Sequence, residues 1–341
     1  MGSENMAKET SIAELADMVK GRIAGIPDQN VNVSGTCAVD RYISNKVAFV
    51  RNEKYGEFLS QLQKAIVLIP ESLAGFCSRY PQNIYIVVQD VVSSLMDLQD
   101  FFYKDQAVIT EEGISSTAKV DESAKIGKQV YIGENVCIGK NVVIGDGTKI
   151  MHNCCIFDNV TIGNNTDIYP GICIYKNCQI GNQCIIHSGV RIGREGFRFE
   201  QDTKHRQVRK MISVGRVVIG DRVEIGANCT IDRATFEDDV TILFDDVKLA
   251  DQAHIGHNAS IGARTCIAVQ TCVSGSARIG EDVWIAPGVT ISDSIKIGDR
   301  AKVLLNAVVA YDVPQDEIVS GFYAMPHRQW KRIYEKLKDE I

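Results

Sequence analysis

The stretch DQAHIGHNASIG, residues 251–262, carries two histidines three apart, His254 and His257. Imidazole is the side chain best suited to take a proton near neutral pH, so either could serve as a general base. The competing reading makes both solvated side chains on a structural repeat. Eleven cysteines are also present, none in a C-x-x-C pair, and no metal ligation or disulfide is expected of them. A third group is basic: residues 196–216 hold Arg198, Lys204, Arg206, Arg209, Lys210 and Arg216 against Glu200 and Asp202. Such an excursion is either a solvated loop or a surface suited to phosphates or a phosphorylated carrier.

Bulk properties narrow the classes. A net charge of −6 over 341 residues argues against whole-chain affinity for nucleic acid. No run of 18 apolar residues exists, so no transmembrane segment is expected. The opening MGSENMAKET shows no secretory pattern, and Met6 breaks the myristoylation pattern. A cytoplasmic protein is the expectation.

The elements that position these groups follow a six-residue period. An isoleucine recurs at every sixth place from Ile126 to Ile192, and the beat restarts out of phase at Ile219, Ile225 and Ile231. Glu237 then occupies an expected apolar place, and the pattern resumes from Leu243 to Val309. Six fits neither an amphipathic helix nor an alternating strand; it is the signature of a β-helix built from hexapeptides. Four residues after each large residue stand small or β-branched ones such as Val130, Thr148, Cys154, Cys178, Cys184, Cys229 and Ala253. Those cysteines read as small core residues. Three hexads make one coil, giving roughly nine coils and a prism ~40–45 Å long.

Three regions follow. Residues 1–112 alternate apolar runs (KVAFV, KAIVLIP, NIYIVVQDV) with helical stretches such as EFLSQLQ, which predicts an α/β domain. Residues 113–309 form the β-helix, with the basic loop at 197–216. Residues 310–341 predict a short C-terminal helix, with Trp330, Ile333, Tyr334, Leu337 and Ile341 on one face and Arg328, Lys331, Arg332, Lys336 and Lys338 largely outside it. That helix is expected to cap the prism, and its basic side would attract an acidic partner.

In this register Gly275 lies one coil above His257, and Asp239 one coil below. An imidazole beside an unobstructed backbone N–H is the pairing acyl transfer needs: a base for the incoming amine or hydroxyl, and a donor for the oxyanion.

The hexad pattern resembles the hexapeptide-repeat transferases, which implies a left-handed parallel β-helix. More narrowly, GVRIGREGF, VVIGDRVEIGANCTIDR and QAHIGHN resemble the UDP-3-O-acylglucosamine N-acyltransferases of lipid A biosynthesis. The resemblance spans nearly the whole chain. It implies that His257 is the general base and that the Gly275 amide helps hold the oxyanion. The family's F-x-x-N-x-x-Y uracil signature matches Phe49, Asn52 and Tyr55, where aromatic faces can stack on a base and an amide can read its edge. The resemblance also implies a homotrimer and a UDP-amino sugar acceptor. The donor would be an acyl-carrier-protein or coenzyme A thioester, with no permanently bound cofactor.

Two departures stand out. The family's second histidine falls on Ser294, and the segment before the base reads LADQ where an Asp-Asn pair is usual. Asp251 is the residue expected to cover part of that role, with His254 a supporting neighbour. Three alternatives stay open: acylation of another nucleotide-linked amino sugar, a zinc carbonic anhydrase of the same prism type (which needs three histidines), and a non-catalytic sugar-nucleotide scaffold.

Overall fold

The computed structural model describes residues 8–26, 31–107, 111–321 and 325–338. The start MGSENMA therefore lies outside the described residues. Two compact units result, Met1–Val108 and Ile109–Ile341.

The first unit is built on a five-stranded sheet in the order Arg22–Gly25, Ile84–Val88, Ile66–Pro70, Val47–Phe49 and Thr36–Ala38. All neighbours are parallel except the Arg22–Gly25 edge, which runs antiparallel to Ile84–Val88. Successive residues of the central strands enter opposite cores, as the two-residue period of a strand requires. Ile66, Leu68, Ile84 and Ile86 pack with Ile12 and Leu15 of helix Ile12–Met18 and Leu98 and Phe102 of helix Val91–Ala107. Val67, Ile69, Tyr85 and Val87 pack with Leu59 on the other side. Ser11 starts the first helix with a capping box: its Oγ accepts the Glu14 N–H, and the Glu14 carboxylate accepts the Ser11 N–H. The stretch expected to be helical around EFLSQLQ is instead a run of tight 3₁₀ turns, Glu53–Ser60.

The second unit is the left-handed parallel β-helix expected from the repeat. Its three sheets hold 9, 10 and 11 short strands among the described residues. Within the uninterrupted runs each strand pairs in parallel with the one three hexads later, as Ile138 does with Ile156 and Ile156 with Ile174. The isoleucines and the small residues four places on are buried together, including Cys154, Cys178, Cys184 and Cys229. Burial pushes the last three thiols up to about 11, so they are inert packing groups. Each buried isoleucine contributes about 1.5–3 kcal/mol, and the ladder repeats that gain coil after coil.

The corners demand left-handed backbone. Asn141, Asn159 and Asn177 occupy such positions, with φ of 55°, 59° and 66°. Asparagine tolerates this region better than most residues because its short side chain bonds locally. Here the side chains also bond to one another, Asn141 Nδ2 to Asn159 Oδ1 and Asn159 Nδ2 to Asn177 Oδ1, both at 3.1 Å.

Four sequence expectations are corrected. The basic loop is an ordered antiparallel hairpin, Phe199–Asp202 with Gln207–Lys210. The weak patch is no defective hexad: Thr230 pairs with His254, 24 positions away, so residues after Asp232 bulge outward before the strand Val240–Leu243. Glu237 sits in that bulge, exposed. The sheets also run past residue 309, since Ile318–Val319 pairs with Lys302–Val303. Finally, the described side chains of helix His327–Lys338 are exposed, Trp330 and Ile333 among them, where a capping face would bury them. The expected contributions of Tyr334, Leu337 and Ile341 lie outside the described side chains.

Candidate active site

The corner after strand His254–Ile255 carries His257, and the corner after Cys272–Val273 carries Gly275; the two strands pair directly, His254 with Cys272 and Ile255 with Val273. The second corner stacks on the first. A Cβ built on Gly275 would lie 2.6 Å from both Cε1 and Nε2 of His257. The bare peptide is therefore what leaves room for the imidazole. Over much of the prism the backbone N–H at this corner position donates to an Asp, Asn or His side chain one coil up, as Lys140 donates to Asp158 and Asn164 to Asn182. No hydrogen bond of the Gly275 N–H to a described residue is formed, although the side chain one coil up is Asp293, whose Oδ1 would lie 2.9 Å from a Cβ on Gly275.

The tautomer of His257 follows from its neighbours. Asn258 Nδ2 donates to Asp239 Oδ2 at 2.9 Å, which fixes the amide's orientation. Its Oδ1 accepts the Thr235 N–H at 3.0 Å and the Thr235 hydroxyl at 3.1 Å. An amide oxygen only accepts, so His257 Nδ1, 3.1 Å from the same oxygen, must carry the proton. The lone pair of neutral His257 then sits on Nε2, the nitrogen turned toward Gly275. Asp239 thus reaches His257 through Asn258. It is not one coil beneath His257, because the enlarged coil puts Arg233 at that register.

A second carboxylate stands close. Asp232 is 2% exposed, with Oδ2 3.7 Å from His254 Nε2 and Oδ1 3.4 Å from Arg194 Nε. Its Oδ1 is buried and makes no hydrogen bond among the described residues. Burial pushes its pKa up, against the opposing pull of His254, Arg194 and His257. His254 Nδ1 meets the Thr230 hydroxyl at 2.8 Å. The root of the hairpin closes over this group: a Cβ on Gly196 would lie 3.0 Å from Asp232 Oδ2 and 3.4 Å from His257 Cδ2.

The other expected residues divide. Ser294 belongs to the same stack; its N–H donates to Gly275 O at 2.9 Å and its hydroxyl to Asp293 Oδ2 at 2.8 Å. Asp251 is occupied as a corner ladder residue, accepting the Ala227 N–H at 2.7 Å, and none of its hydrogen bonds reaches the histidines. Among the described residues no group of three His, Cys, Asp or Glu could hold a metal ion. Sequence reasoning passed over Asn258, Asp232 and Arg194, although the Asn of I-G-H-N directly follows the base.

In the first unit Phe49 and Tyr55 line a cavity of about 330 Å³ with Ala38, Val39, Asp40 and Arg51. Both aromatic residues are half-buried. Asn52 is exposed and does not line it. Asp40 and Arg51 add the polar groups that sequence reading missed.

The chain was compared with known proteins. A model for the GMPPB C-terminal domain matches residues 114–196, and one for the hexapeptide repeat of succinyl-transferase matches residues 216–242. Among solved structures, the chain is similar to UDP-N-acetylglucosamine acyltransferase of Francisella novicida at 27% identity, covering 64% of this chain and 73% of that one, with a TM-score of 0.45. The Arabidopsis UDP-N-acetylglucosamine acyltransferase matches at 27% identity over 61% and 71%, with a TM-score of 0.48. LpxA from Acinetobacter baumannii matches at 25% over 64% and 76%, with a TM-score of 0.42.

Proposed function

We propose that this protein is an acyltransferase that moves an acyl group from a thioester to the amine of a UDP-linked amino sugar, similar to UDP-3-O-acylglucosamine N-acyltransferase. The observation that carries the reading is the stacking of Gly275, whose amide N–H has no hydrogen-bond partner among the described residues, on His257, whose Nε2 holds the lone pair. His257 Nε2 takes a proton from the amine as its nitrogen attacks the thioester carbonyl. The Gly275 N–H donates to the oxyanion of the tetrahedral intermediate. Collapse breaks the C–S bond, and the leaving thiolate recovers the proton from the imidazolium. Phe49 and Tyr55 supply the stacking surface for uracil. The donor is an acyl-carrier-protein or coenzyme A thioester, which places the activity in the cytoplasm.

The chain assembles as a homotrimer in this reading, since triangular rods close three-fold through flat faces. Light scattering on the purified protein checks it. The deciding assay pairs both donor types with several UDP-amino sugars and reads acylated product by mass spectrometry. His257→Ala abolishes turnover while UDP binding and the thermal midpoint stay unchanged; near-normal activity in that variant removes His257 from the mechanism. Ser294, in place of the family's second histidine, favours one alternative: a nucleotide-linked amino sugar lacking a 3-O-acyl chain. A strict requirement for that chain excludes the alternative.

A further inference from the structure

A second cavity, of about 540 Å³, opens on the β-helix and is lined by Lys176, Asn177, Val214, Arg216, Arg233 and Glu237. Its three cations come from three separate stretches of chain, and two are placed in ways that ordinary surface arginines are not. Arg233 is clamped by carbonyls, its Nε donating to Gly193 O at 2.6 Å and one terminal nitrogen to Lys176 O at 3.2 Å. The planar guanidinium is thereby fixed, and its other terminal nitrogen has no hydrogen-bond partner among the described residues. Arg216 has a buried Nε with no hydrogen-bond partner among the described residues. Burying an unsatisfied charged donor is costly, and a native fold keeps one where something else answers it. Lys176 is shared with Asp158 at 2.9 Å, while neither arginine forms an ion pair among the described residues, although the Glu195 carboxylate feels the charge of Arg233.

Three of the other basic residues at 196–216 are engaged elsewhere. Arg209 is paired with Asp202 at 2.8 Å and Lys210 with Glu195 at 3.0 Å, while Arg198 donates to Thr235. Arg209 and Lys210 line a separate small cavity, but with Glu200 and Asp202 beside them, whereas Arg216 lines one that it shares with Lys176 and Arg233.

We propose that this cavity is a phosphate-binding site, taking a phosphate or diphosphate group between Arg216 and Arg233. Guanidinium forks match phosphate oxygens geometrically, and a pre-fixed fork loses little entropy on binding. Glu237, exposed at the rim, repels a bare anion and accepts from hydroxyl groups, which favours an organic phosphate over the inorganic ion. Under the function proposed above, two ligands offer such a group: the diphosphate of the nucleotide-linked acceptor and the phosphates of the thioester donor. The assignment of source rests on that reading; the presence of the site does not.

The test is calorimetric titration of the full-length protein with inorganic pyrophosphate, UDP and coenzyme A, at low and physiological salt. Arg216→Gln keeps the shape of the stem and removes the charge. Pyrophosphate binding is expected to weaken at least tenfold in that variant, roughly the loss of a charge-assisted bidentate contact, with a smaller difference at high salt. A parallel loss for UDP alone assigns the acceptor's diphosphate, and a loss for coenzyme A alone assigns the donor. Unchanged affinity for all three, or no binding of any of the three by the parent protein, overturns the site. If Arg216→Gln fails to fold, Glu237→Gln decides: it should tighten pyrophosphate binding several-fold, and no change there refutes the proposal. These readouts need no acyl transfer, so failure of the enzymatic reading would leave them interpretable.

Discussion

The imidazole of His257 fills the space that a side chain on Gly275 would take, with Cε1 and Nε2 both 2.6 Å from where its Cβ would be. Contacts that short do not occur, so adding one methyl group must displace the ring. The backbone at Gly275 is not in the left-handed region, so alanine is conformationally acceptable there. Gly275→Ala is therefore expected to fold with a near-parental thermal midpoint and to lose catalysis. A misplaced base combined with an obstructed donor costs about 100-fold or more in kcat. Acyl-transfer kinetics together with circular dichroism melts check both halves. Retained kcat would mean that the pair does not act on a common atom.

Asp239 orients His257 at one remove, and under the proposed function that arrangement makes a graded prediction. Without its carboxylate, the Asn258 amide loses the bond that fixes which end faces His257. A flipped amide would present Nδ2 to Nδ1, forcing the ring proton onto Nε2 and disabling the base. The Thr235 N–H still favours the right orientation, so the defect is partial. A hydrogen bond to a group that becomes charged contributes about 1.5–3 kcal/mol, or roughly 10- to 100-fold in rate. Asp239→Ala should fall in that range, and Asp239→Asn, which can still accept from Asn258, should recover most of it. The variant's pH–rate profile should move as well; an unmoved profile with reduced kcat would indicate structural damage only.

The parts of the fold that repeat were legible in the sequence, and the interruptions were not. Six-residue spacing revealed the prism because each coil buries the same kind of residue at Ile138, Ile156 and Ile174. The same counting erred between Ile231 and Leu243, where a bulge mimics a failed hexad and shifts the register of everything beneath His257. Gly275 was found because it lies above the bulge, where the coils return to a regular length. Asn258 and Asp232 were missed because their roles depend on which way side chains turn at a corner, and spacing carries no information on that. The hairpin looked like a bare basic loop because its ion pairs, Asp202 with Arg209 and Glu195 with Lys210, join residues that are apart in sequence.

The aromatic cavity of the first unit can be tested without catalysis. If Phe49 and Tyr55 stack on uracil, truncating one ring removes a contact of about 1–3 kcal/mol. Phe49→Ala is then expected to weaken UDP binding by roughly 6- to 150-fold at 25 °C. Affinity for ribose phosphate lacking the base should be unaffected. Titration with both ligands separates stacking from general damage, because a collapsed unit would lose both. Equal UDP affinity in the variant would return Phe49 to a purely packing role.

Asp232 ties the site to the stability of the fold. Burial raises its carboxyl above the ordinary value, the attraction of His254, Arg194 and His257 notwithstanding. A folded-state pKa above the unfolded one means that the native protein holds an extra proton between the two values. Stability therefore declines as pH rises through that window and stays reduced above it. Asp232→Asn removes the charge with little change of shape. The variant should melt higher than the parent at pH 7, and the gain should vanish below the unfolded carboxyl's pKa of about 3.9. Thermal midpoints of both proteins from pH 3.5 to 8 decide the matter. A variant less stable than the parent at pH 7 would show that the cations around Asp232 outweigh its burial, and that the carboxylate is held charged for the sake of the fold.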